Sequence, residues 1–189
     1  YLAYQTPHKI FQHVVKHIAI NEAQEAEAKQ SMTLLDLGCG SGLIGDHFDR
    51  ITSEMTGIDL SSKMLEQAEK KGIYNNLIQG DLADSLDQLN DFDLIIASDV
   101  FPYIGNPESI FKAILTHLKP GGIFAFSIET NNINSENYWL NDSARFVHNP
   151  SYIADFFAKY ELSEQHETTL REQHQQPVMG HLFIIKRAN

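Results

Sequence analysis

Cysteine, positive charge and long apolar runs are all scarce in this chain. Cys39 has no second thiol to pair with, which excludes an intrachain disulfide and fits a reducing, cytoplasmic compartment. No stretch reaches the ~18 apolar residues of a membrane span, and the residues present carry no signal-peptide leader. The chain opens on Tyr1 rather than Met, so it reads as trimmed from a longer parent. Lys and Arg number 14 against 25 Asp and Glu, a formal net charge of −11. A surface that negative repels phosphate backbones and anionic membranes, so neither nucleic acid nor membrane is an expected partner. What remains is 189 residues, 42% of them hydrophobic. That is the size of one domain, able to bury roughly 70% of its unfolded surface without a disulfide or metal.

Pro7 is followed by Ile10, Phe11, Val14, Val15 and Ile18 at helical spacing, which predicts a helix over 7–20. The polar run NEAQEAEAKQ after it reads as a frayed helix end or surface connector, its acids a solvated face. From Met32 the pattern changes to short apolar runs, MTLLDL, EMTGIDL, NNLIQGD, DFDLIIASD and IFAFSIE, separated by helical stretches. SSKMLEQAEKKG starts at a serine cap and stops at Gly72, and PESIFKAILTHLKPGG stops at Pro-Gly-Gly. That rhythm implies a parallel sheet with helices on both faces. Residues 131–149 read as a long irregular loop, a place where function often resides. A helix over NPSYIADFFAKY and two extended stretches, ELSEQHETTLREQ and PVMGHLFIIKR, complete the chain; the last two pair most simply as an antiparallel hairpin. The whole, 1–189, is expected to be one domain: a helical segment over 1–30, a cofactor-binding core over 31–130, and a loop, helix and hairpin over 131–189.

The sharpest local signal is LLDLGCGSGLIG at 34–45, a strand entering a glycine-rich turn that opens a helix. Gly40-Ser41-Gly42-Leu43-Ile44-Gly45 is a literal G-x-G-x-x-G, and Asp59 follows Gly40 by the ~20 residues of a dinucleotide site. An NAD(P)-dependent oxidoreductase is therefore one reading. Asp36 argues against it, because an acid two residues before Gly38 adds repulsion near a pyrophosphate. The apolar run also stops at Leu37, whereas the dinucleotide register would carry the strand into Gly-Cys-Gly.

DLGCGSG, then GIDLS, GD, DLIIASDVFPYI and LKPGG resemble the ordered motifs of class I S-adenosylmethionine-dependent methyltransferases, over roughly 30–130. The resemblance implies a Rossmann-like, doubly wound, seven-stranded and mostly parallel α/β sheet with a C-terminal antiparallel hairpin, and S-adenosylmethionine as cofactor. Tyr4-Gln5-Thr6-Pro7, RFVHNPSY at 145–152 and PVMG at 177–180 are similar to bacterial methyltransferases associated with tetratricopeptide repeats, which implies such repeats ahead of Tyr1.

Asp59, ending the second strand, can accept both ribose hydroxyls, or can simply cap the helix after it. By resemblance, Asp81 accepts from the adenine amino group and the Leu82 amide reaches a ring nitrogen. Leu60 and Met64 flank the adenine. Gly38, Cys39 and Gly40 offer backbone to the methionyl part, and Asp36 can take hydrogen bonds from loop amides or from a cationic ligand amine. Ser98, Asp99 and Val100 end the fourth strand, where donor and acceptor meet. A small-molecule acceptor is expected, with Tyr4, Tyr103 and Arg145 as substrate contacts. The candidates for a general base are Tyr103, Glu129, His148 and His181. A cofactor-binding module without turnover is the remaining alternative.

Two features mislead. His13 and His17 stand i,i+4 and could share a metal, but no third ligand is visible in sequence, so no metal is expected. Phe101-Pro102-Tyr103 approaches the Asn-Pro-Pro-Tyr signature of amino-group methyltransferases but is out of register with it.

Overall fold

The computed structural model describes residues 4–18, 32–130, 136–158, 160–173 and 175–188. The expected connector NEAQEAEAKQ lies outside them. A seven-stranded sheet organises the chain. Its strands are β1 (Thr33–Leu37), β2 (Glu54–Asp59), β3 (Asn76–Gln79), β4 (Phe92–Ala97), β5 (Leu118–Glu129), β8 (Glu161–Gln173) and β9 (Gln176–Lys186). Their order is β3-β2-β1-β4-β5-β9-β8. The first five run parallel, and β9 lies antiparallel to both β5 and β8. This is the doubly wound, Rossmann-like sheet with a terminal hairpin that the motifs imply.

Side chains alternate between the two faces, as strand geometry demands. On one face Leu35, Ile95, Phe124, Phe126 and Phe183 pack under α5 (Glu108–Thr116) and α6 (Pro150–Phe157). On the other, Leu34, Leu94, Ile96 and Ile184 pack under α1 (Thr6–His17) and α2 (Leu43–Phe48). Both faces are covered, so β1 and β4 read as continuous apolar runs. Two further helices, α3 (Ser62–Glu69) and α4 (Leu82–Leu86), are capped by Ser61 and Asp81, and α6 by Asn149.

Two expectations are corrected. Residues 131–149 are not uniformly irregular: β6 (Tyr138–Leu140) pairs antiparallel with β7 (Phe146–His148). Pro120-Gly121-Gly122 does not follow α5 as its stop. The helix ends at Thr116, and the triplet lies inside β5, where the register against β4 jumps from Phe92–Leu118 to Leu94–Ile123. A bulge tolerates a proline that cannot donate to the ladder.

Candidate active site

The strand order reverses between β1 and β4, and their carboxyl ends flank a crevice, the usual ligand site of such sheets. β1 stops at Leu37, and Gly38 and Gly40 follow with φ of +64° and +53°, which side-chain-bearing residues avoid. A Cβ on Gly38 would stand 2.7 Å from Val100 Cγ2, whereas one on Gly40 would meet nothing within 4 Å. Gly38 thus closes the turn against β4, and Gly40 leaves bare backbone facing open space. Between them the Cys39 amide donates to Ile58 O at 2.9 Å. Burial and the nearby acids Asp36 and Asp59 push the Cys39 thiol up, so it is no ready nucleophile, and the Cys39 carbonyl accepts from the Gly42 amide at 2.9 Å.

Two adjoining cavities, of about 380 and 540 Å³, share Gly38, Asp59, Asp99 and Tyr103. Tyr4, Pro7, Met64 and Ser98 border the first; Leu60, Asp81, Leu82 and Val100 border the second. Asp59 stands at the junction. Its Oδ2 accepts from the Gly40 amide at 2.9 Å and its Oδ1 from the Ser61 amide at 2.8 Å, which ties β2 to the glycine loop. Asp81 Oδ1 accepts from the Ala83 amide at 2.9 Å. Leu60 and Met64, both large and apolar, remain 69% and 43% exposed. Among the described lining residues of both cavities the ionisable side chains include Asp59, Asp81 and Asp99, and no Lys, Arg or His.

Asp36, expected beside the cofactor, lies buried on β1 and borders neither cavity. Its Oδ2 accepts from the Tyr74 hydroxyl at 2.6 Å, and Oδ1 has no partner. Burial, opposed by the Tyr74 bond and reinforced by Asp59, pushes its carboxyl up to about 7.

Beyond β4 a four-membered charge cluster closes the site. Arg145 donates through Nε to Glu129 at 2.6 Å, through Nη2 to Asp99 at 2.5 Å and through Nη1 to the Tyr103 hydroxyl at 2.8 Å. Arg171 Nη1 stands 2.7 Å from Glu129 and 3.4 Å from Asp99. Arg145 is therefore no free cation waiting for an acidic acceptor, and the Glu129 carboxyl group is held between two guanidiniums. Asp99 adopts φ +61°, a conformation Asp tolerates better than most residues and one that concentrates at functional sites. Its amide donates to Ser127 Oγ at 3.0 Å. Tyr4 and Ser98 share a hydroxyl hydrogen bond at 2.9 Å, which sets Tyr4 of the N-terminal segment against the end of β4.

The two histidines named as candidate bases border neither cavity. His148 is fully buried, and its Nε2 lies 3.0 and 3.1 Å from the Ile104 and Gly105 carbonyls, which makes that nitrogen the donor. Burial holds both His148 and His181 below the usual imidazole range. Arg171 escapes sequence reasoning: it sits in a polar extended stretch, and its partner Asp99 is 72 residues away.

Residues 35–126 match the model of a methyltransferase domain. This segment is a class I S-adenosylmethionine-dependent methyltransferase domain. The chain is 29% identical over 154 residues to a ubiquinone biosynthesis O-methyltransferase of Albidiferax ferrireducens, covering 70% of this chain and 60% of the relative. It is 30% identical over 181 residues to a malonyl-[acyl-carrier protein] O-methyltransferase of Priestia megaterium, covering 90% and 63%. It thus spans less than two thirds of either relative. Among solved structures, the 1,6-didemethyltoxoflavin-N1-methyltransferase of Burkholderia thailandensis superposes with a TM-score of 0.74 at 12% identity, over 99% of this chain and 80% of that one. At that identity the likeness is one of fold. The cofactor of such a domain is S-adenosylmethionine, and the residues present fit it. Two joined lobes with acids and no cations in their lining, and bare backbone at Gly40, suit a nucleoside bearing a sulfonium and an ammonium. The same lining repels a pyrophosphate.

Proposed function

We propose that this chain is a cytoplasmic methyltransferase domain that carries a methyl group to an oxygen atom of a small-molecule acceptor. The observation that carries the reading is the acidic, two-lobed cleft with Asp59 at its junction. The two relatives named above, both O-methyltransferases, support oxygen as the acceptor atom. The terminal motifs that carry Tyr4 and Arg145 are the ground for reading the chain as kin to the methyltransferases associated with tetratricopeptide repeats.

In this reading Asp59 accepts the ribose hydroxyls with the lone pairs left over from Gly40 and Ser61. Leu60 and Met64 flank the adenine, and Asp81 and the Leu82 amide hold its edge. Gly38, Cys39 and Gly40 offer backbone to the methionyl part, with Ser98, Asp99 and Val100 beside it. The bound cofactor supplies an electrophilic methyl on sulfur. The protein's share is alignment and exclusion of water, which suffice for much of the acceleration. Tyr103, 69% exposed between both cavities and hydrogen-bonded to Arg145, faces the space left for an acceptor. A carboxylate acceptor needs no general base; a hydroxyl acceptor does.

The test is transfer of label from methyl-labelled S-adenosylmethionine to a panel of hydroxyl, carboxylate and amine acceptors. Label in an ether or ester is expected. Transfer confined to amines contradicts the oxygen reading.

A further inference from the structure

The helix α1 meets the edge strand β8 along one polar stripe. Thr6 donates to Leu170 O at 2.8 Å, and Lys9 Nζ donates to Thr169 O at 2.7 Å and Thr168 Oγ1 at 2.9 Å. One and two turns further on, His13 Nδ1 stands 2.6 Å from Glu164 Oε1, and His17 Nε2 stands 3.0 Å from Glu164 Oε2. The His166 ring lies beside that of His13, with centroids 4.7 Å apart. The stripe 6, 9, 13, 17 follows the helical repeat, and residues 164 and 166 share one face of the strand.

We propose that His13, Glu164 and His166 form a binding site for a divalent zinc-like cation. One ligand atom from each already falls within 4.8 Å of the others. Ligand atoms around a tetrahedral zinc stand about 3.3 Å apart, given bonds of ~2.0–2.2 Å. Side-chain rotations of order one ångström therefore close the shell. The donor set of two imidazoles and one carboxylate is that of borderline-soft metals rather than of magnesium or calcium. His17 already holds the second oxygen of Glu164, the kind of hydrogen bond that orients a ligating carboxylate. His13 and Glu164 keep side-chain exposures of 13% and 25%, so an ion can enter and water can complete the shell.

The consequence reaches the cleft. Tyr4 and Pro7, at the start of α1, border the first cavity. An ion bridging α1 to β8 at the far end of the helix fixes that wall in place.

A competing account exists, because His13, His17 and Glu164 can clamp helix to strand by hydrogen bonds alone. His166 distinguishes the two, since it takes no part in the bonds to Glu164. The experiment is calorimetric titration of the untagged, chelator-stripped chain with Zn²⁺, alongside His166→Gln and Glu164→Gln. The expected result is one Zn²⁺ per chain with affinity at least tenfold weaker in both variants. Zn²⁺ should also raise the melting temperature of the parent, and His166→Gln should match the metal-free parent but ignore the ion. Absent saturable binding, or binding undiminished in either variant, overturns the proposal.

Discussion

Asp59 joins three things: the end of β2, the Gly40 amide and the junction of both cavities. Its removal should cost the cofactor two charge-assisted hydrogen bonds, each worth about 1.5–3 kcal/mol. Asp59→Ala is therefore expected to weaken S-adenosylhomocysteine binding by at least ~2 kcal/mol, some thirtyfold, read by calorimetry; an unchanged affinity in a folded variant refutes the role. Tyr103→Phe should leave that affinity alone and lower kcat/KM about tenfold, a loss of ~1.4 kcal/mol, because the hydroxyl lies on the acceptor side. Asp36 makes a different prediction. Its carboxyl rises to about 7 from 3.8 on folding, with burial as the main cause. Between those values the unfolded chain has released a proton that the folded chain keeps. The stability this group contributes is thus fully present below pH ~4 and lost as pH rises toward 7, at up to about 1.4 kcal/mol per pH unit. Asp36→Asn lacks that loss, so the parent should lose stability relative to the variant across the window in urea titrations. A pH-independent difference contradicts the assignment.

Among the elements, the glycine loop separates shape from function. Gly38→Ala imposes both a strained φ and a 2.7 Å contact with Val100, whereas Gly40→Ala imposes the strain alone. Gly38→Ala should destabilise by about 1–3 kcal/mol and lower the urea midpoint more. Gly40→Ala should mainly weaken the cofactor. Equal effects on both readouts contradict this division. The loop was legible from sequence because its signals are local: an apolar run ending at Leu37, then glycines where φ turns positive. The β8–β9 hairpin was legible for the same reason. Pro120-Gly121-Gly122 misled because those residues punctuate a helix and a bulged strand alike. The Asp99–Arg145–Glu129–Arg171 cluster and the His13–Glu164 contact were not legible. They join residues up to 151 positions apart, and periodicity carries nothing about such pairings. The acids and bases were visible singly, but not that they neutralise one another.

At the scale of the whole molecule, no helix among the described residues is long and apolar enough to cross a membrane. The net charge of −11 is matched locally by Asp59 and Asp81 in the cleft lining, where Asp99 is paired with Arg145 and Arg171, so charge at both scales favours a cationic nucleoside. A ligand that binds only the folded chain stabilises it by ~2.7 kcal/mol at a hundred times its dissociation constant. For a chain of this size that is a rise of roughly 5–10 °C in melting temperature, which Asp59→Ala should largely lose at the same concentration. The most direct measurement is calorimetric titration of the protein with S-adenosylhomocysteine and, in parallel, with NADH. Saturable one-to-one binding of the first and none of the second is the expected result. Saturable NADH binding without S-adenosylhomocysteine binding would contradict the account and return GSGLIG to a phosphate loop.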